Sequence, residues 1–140
     1  MKKLFITVAI LAVTTTIALT QTYIKPKYQK RGNPRVELEK VQITKKYTIV
    51  YCTYTSTSEG HACVDKDMYI KDLASKKTYP LIKAVGISIC PKRKNFKKAG
   101  HRFKFKLYFP KVKYNVRNIH IIENVPNAFN FVKVHLQPVA

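Results

Sequence analysis

The segment Arg102 to Phe109 alternates without a break. Phe103, Phe105, Leu107 and Phe109 fall on one side, and Lys104, Lys106 and Tyr108 fall on the other. Period two separates apolar from polar side chains only on a pleated strand, where successive Cβ atoms point to opposite faces. Pro110 lacks a backbone donor and ends the strand. The chain must therefore bury one face of a sheet against something else.

The same alternation runs through most of the chain from Val36 onward. Val36 to Thr44 is expected as the first strand, with Leu38, Val41 and Ile43 apolar. The step from Leu38 to Val41 breaks strict period two and predicts a bulge. Tyr47 to Thr57 places Val50, Cys52 and Tyr54 on one face and Thr53 and Thr55 on the other. Cys63 to Asp72 and Thr78 to Ile89 flank Leu73–Lys77 and read as a hairpin. Pro91 to Gly100 is a loop, and Asn118 to Glu123 and Phe129 to Leu136 supply the last strands. No window after the first twenty residues carries a helical stripe. About seven half-buried strands predict an all-β, antiparallel β-sandwich, with a small closed barrel as the other architecture.

Several segments resemble the small immunoglobulin-like domains of secreted bacterial proteins called telokin-like. The matching residues are Tyr51 to Thr55, then Met68 to Asp72 with Lys76 to Leu81, then Ala84, Gly86, Ile87, Ile89 and Pro91. Lys104 to Pro110 and Phe129 to Phe131 complete the likeness, which covers about residues 36–136. The resemblance implies an Ig-like sandwich in the envelope or outside the cell. It implies a binding or accessory module without catalytic residues. The chain departs from that family in being far more basic and in placing cysteines at Cys52, Cys63 and Cys90.

The first residues carry an address. Lys2 and Lys3 precede Leu4 to Leu19, which holds no charge. Small residues permit cleavage after Ala18 or after Thr20, the pattern of a secretory signal peptide over residues 1–20. An uncleaved anchor is the rival reading. Its uncharged run would reach ~24 Å as a helix, short of the ~30 Å hydrocarbon core. Residues 21–35 contain Pro26, Gly32 and Pro34 and several cations, and read as an exposed basic linker. The sandwich is then expected over residues 36–138, in a secreted, periplasmic or envelope protein.

Charge is the strongest signal beyond the fold. The chain of 140 residues holds 27 Lys and Arg against 7 Asp and Glu, a net charge of +20. From Leu73 to Ile122 no acid occurs, while 14 Lys and Arg do. A single-sign surface attracts polyanions at range and weakens with salt. The candidate polyanion site is Lys92, Arg93, Lys94, Lys97, Lys98, Arg102, Lys104 and Lys106. Phe96 and Tyr108 lie among them, placed to stack on bases or sugars. An exported protein meets anionic polysaccharide or lipid head groups rather than nucleic acid. The alternative is an envelope structural protein that pairs with another protein.

Catalysis finds little support, and no cofactor or metal is expected. Asp65 and Asp67 share a strand face but read as solvated. No phosphate loop, nucleophile elbow or zinc-protease helix occurs. His61 and Cys63, with Cys90 or His101, do not specify a tetrahedral site. Cys52 falls on an apolar face, where a thiol packs inertly. Cys63 and Cys90 remain as the pair for a disulfide in an oxidising compartment. A hairpin turning near Ala74–Ser75 gives pairs summing to 149 or 150. A bulge at Gly86 would then bring Cys63 and Cys90 into range.

Overall fold

A computed structural model describes residues 20–126 and 128–136 of the chain. The expected signal peptide lies outside the described residues, apart from Thr20. Thirteen strands occur among them: β1 (Gln21–Ile24), β2 (Lys30–Arg31), β3 (Val36–Ile43), β4 (Tyr47–Thr55), β5 (Gly60–Val64), β6 (Tyr69–Asp72), β7 (Thr78–Pro80), β8 (Lys83–Val85), β9 (Ser88–Ile89), β10 (Lys94–Phe96), β11 (Arg102–Pro110), β12 (Asn118–Ile122) and β13 (Phe131–His135). No helix is present among these residues, so the described chain is all-β.

Two five-stranded antiparallel sheets form a sandwich-like arrangement. The first has the order β1-β3-β4-β11-β8 and the second β2-β13-β12-β6-β7. A third, small sheet, β10-β5-β9, contains one parallel pair, β5 with β9. The inner face of the first sheet carries Val36, Leu38, Val41, Val50, Cys52, Tyr54, Phe105, Leu107 and Phe109, all buried. Ile70, Ile119, Ile121, Phe131 and Val134 of the second sheet are buried in the same core. Phe129 touches the first sheet, with ring centroids 5.8 Å from Phe105 and 6.0 Å from Tyr54. Apolar area removed from water on this scale is the main stabilising contribution.

The register follows the alternation. β11 pairs with β4 over its full length, Phe105 opposite Cys52 and Leu107 opposite Val50. The bulge falls in β3 between Leu38 and Lys40, leaving Glu39 without a partner on β4. The hairpin of β6 and β7 pairs Tyr69 with Pro80 and Lys71 with Thr78, so its pairs sum to 149.

Four expectations need correction. The segment at 21–35 is no exposed linker. β1 pairs with β3, β2 pairs with β13, and Tyr23 is 4% exposed. Its prolines sit outside the strands, so they do not interrupt the ladder. The expected strand Cys63 to Asp72 is two strands, broken by a turn in which the Asp67 and Met68 amides bond to Asp65. The expected strand Thr78 to Ile89 is three, because the chain leaves the second sheet after β7 and joins the first as β8. Gly86, at φ +86°, then turns it into β9. The expected loop Pro91–Gly100 also holds a strand, β10, so the count exceeds seven because two runs divide into five strands, residues 21–35 add β1 and β2, and this loop adds β10.

Candidate functional site

The outward side of the first sheet is built by its register. One row across the strands reads Ile24, Lys40, Tyr51, Lys106, Val85. The next reads Thr22, Gln42, Ile49, Tyr108, Lys83. Lys104 stands opposite Thr53, which pairs on its other side with Glu37. Tyr47 ends this face opposite Pro110.

Lysines and tyrosines interlock on this surface. The Tyr51 ring has Lys40 Nζ at 4.3 Å and Lys106 Nζ at 5.4 Å from its centroid. Its hydroxyl donates to Gln42 Oε1 at 2.8 Å, which anchors the end of the ring. Tyr47 and Tyr108 meet edge to face at 5.4 Å. Lys83 Nζ lies 4.6 Å from the Tyr108 centroid and 5.4 Å from that of Tyr47. A contact of this type contributes ~0.5–1 kcal/mol at an exposed site. That biases where each ammonium rests without neutralising it, so the face presents ordered positive charge.

A groove of about 490 Å³ crosses this face. Lys25, Lys40, Lys104 and Lys106 line it against a single acid, Glu39, and Ile24, Tyr51 and Val85 supply apolar surface. Gly86 lets the β8–β9 connection lie close over β11, since a Cβ there would sit 2.6 Å from the Lys104 carbonyl oxygen.

The eight residues singled out from sequence do not form one site. Lys104 and Lys106 lie on the outer face. Lys92, Arg93, Lys97 and Lys98 are exposed on the connection that contains β10. Lys94 Nζ rests 5.0 Å from the Phe103 ring, which stacks on inward-facing Tyr54. Arg102 is exposed opposite Thr55, at the far end of β11. Ser56 holds this region in place: its hydroxyl donates to the Lys98 carbonyl at 2.6 Å and accepts from the His101 amide at 3.1 Å. Phe96 is buried, 5.5 Å from Tyr54, so it is not available to stack on a base or sugar. The run of cations in sequence was divided because β10 pairs with β5 rather than extending β11.

Lys25, Lys40 and Lys83 join Lys104 and Lys106 on the face but were not singled out. The register of β3 across its bulge, read as pairing with β4, would have placed Lys40. Lys83 belongs through the β8–β11 pairing, for which the sequence carries no local signal.

Cys63 and Cys90 are joined in a disulfide with Cα atoms 5.1 Å apart. The route differs from the expected antiparallel one. Cys63 pairs with Ser88 in the parallel β5–β9 ladder, and the Cys90 amide donates to the Val64 carbonyl at 2.9 Å. Both sulfurs are thereby withdrawn from any metal or thiolate chemistry. Among the described residues, no group of three or more His, Cys, Asp or Glu converges on a metal position. Cys52 is a free, buried cysteine, and burial pushes its thiol far up, with the Glu39 charge adding to the effect.

A second cavity, of about 540 Å³, opens at the edge of the sandwich beside the disulfide, lined by Arg35, His61, Glu123 and Phe129 among others. Glu123 is 3% exposed. Its two oxygens accept from the Asp65 amide at 2.8 Å and the Phe129 amide at 3.1 Å. A carboxylate so engaged is a structural tie rather than a general base. Asp65 and Asp67 lie in and beside the β5–β6 turn, not on one strand face, and Asp65 Oδ1 accepts from the Asp67 amide.

The chain matches no family model, no curated protein and no solved structure.

Proposed function

We propose that this is a non-catalytic binding or accessory domain that recognises anionic polymers or surfaces through the outer face of its first sheet. The observation that carries the reading is the register that gathers Lys40, Lys83, Lys104 and Lys106 among Tyr47, Tyr51 and Tyr108. Ordered cations over aromatic rings suit sulfated or carboxylated polysaccharide, or lipid head groups. The leader pattern and the telokin-like resemblance support export and an Ig-like accessory role in the periplasm, the envelope or outside the cell. Nucleic acid is the weaker partner, because the rings of the face are engaged by lysines rather than open for stacking.

The experiment is retention on heparin resin under a salt gradient. Lys104→Glu with Lys106→Glu, and Lys97→Glu with Lys98→Glu, change net charge equally. The face pair should elute at clearly lower salt than the loop pair, with far-UV circular dichroism unchanged because Lys97, Lys98 and Lys104 are exposed and Lys106 is half-exposed. Equal losses would mean that net charge alone acts. A stoichiometric protein retained from envelope extract at high salt would favour a structural partner instead.

A further inference from the structure

The groove on the outer face has more than charge. Its row of side chains begins at Ile24 on one edge of the sheet and ends at Val85 on the other. Ile24 is 70% and Val85 47% exposed, and few large hydrophobic side chains of the described chain are as open to water. Four inter-strand steps of ~4.8 Å make the row ~19 Å long. Exposed aliphatic groups paired with a concave floor mark a binding surface more often than scattered ones do. The volume falls in the range of small-molecule sites, which combine apolar walls with a few placed polar groups. Here the placed groups are ammonium ions on all sides, Lys25, Lys40, Lys104 and Lys106, with Glu39 alone opposing them.

A purely ionic ligand would leave Ile24 and Val85 in water. A purely apolar ligand would leave four ammonium groups unanswered. We infer that the groove takes an amphiphilic anion: one hydrocarbon chain that ends in a phosphate, sulfate or carboxylate. The chain extends from the lysines at the middle of the row toward its aliphatic ends, Ile24 and Val85. The head group sits among Lys40, Lys104 and Lys106. This rests on the anion-binding reading of the same face and narrows it to a class of ligand.

The test is titration calorimetry with butyl, octyl and dodecyl phosphate, each below its micelle-forming concentration, and with inorganic phosphate. Saturable binding of one dodecyl phosphate per chain is expected. Affinity should rise about threefold to fourfold per added methylene until the groove is full. Ile24→Ser with Val85→Ser should abolish the dependence on chain length while lowering heparin retention far less than the Lys104 and Lys106 pair does. Both side chains are exposed, so the double variant should fold. Lys104→Glu with Lys106→Glu should weaken dodecyl phosphate and heparin together. Dodecyl phosphate binding no better than inorganic phosphate would overturn the inference. So would a chain-length dependence untouched by the serine pair, or binding only to anionic phospholipid vesicles and never to the monomer. Failure of the broader reading is separately visible, as heparin retention indifferent to Lys104 and Lys106.

Discussion

Glu123 ties the start of the β5–β6 turn, 58 residues away, to the connection between β12 and β13. Its side chain reaches the Asp65 amide before the β5–β6 turn and the Phe129 amide before β13, and its own amide donates to Asn130. Burial pushes its carboxyl above the ordinary value of 4.5; the two amide donors oppose this in part, and the Asp65 charge adds to it. A carboxyl raised in the folded state holds its proton there more tightly than in the unfolded chain. Its contribution to stability is full below pH 4.5 and is lost as pH rises through the raised value. Glu123→Leu leaves both amides without that acceptor and should cost ~1–3 kcal/mol. The stability gap between wild type and variant, followed by urea unfolding at several pH values, should be wider at acid pH than at neutral pH. A gap that widens toward neutral pH would contradict the assignment.

Among the elements, the connection from β8 to β9 does most to shape the outer face. Gly86 adopts φ +86° and lies against the Lys104 carbonyl, so a methyl group there meets both a disfavoured backbone region and hard contact. Gly86→Ala should cost at least ~2 kcal/mol and loosen β8 from β11, seen as faster amide exchange at Val85. Reduction of the Cys63–Cys90 bond, which closes a separation of 27 residues, should cost ~3–4 kcal/mol by the chain-entropy rule. Thermal melts with and without reductant measure it. The long strands β3, β4 and β11 were legible in sequence because each buries one full face, and the bulge after Leu38 was legible as a skipped step. The β6–β7 hairpin was legible because it closes locally. The strands β8, β9 and β10 were not, since each has only two or three residues and owes its place to a partner elsewhere in the chain. The same limit split the expected basic site, because which lysines share a face depends on those pairings.

At the scale of the molecule, both sheets use the segment that reads as a linker. Tyr23 fills the inner face beside Val41, its pairing partner, and its hydroxyl donates to Gln21 Oε1 at 3.0 Å. Tyr23→Ala should therefore cost ~3 kcal/mol in urea unfolding, as a buried aromatic does, whereas a residue in a solvated linker would cost under ~0.5 kcal/mol. The misreading had a physical cause. Two prolines and a string of cations dominate residues 21–35, and the buried contacts of that stretch are made one side chain at a time.

Lys30 and Arg31 pair with Val132 and Phe131, so an early part of the described chain is held by its last strand. A polypeptide leaves a ribosome or a translocation pore amino end first. When Lys30 emerges, its partner has not yet followed, and it stays unpaired until Val132 does. The strands of the first sheet all lie before Lys111, so that sheet can close earlier, and the second waits for contacts about 100 residues apart in the chain.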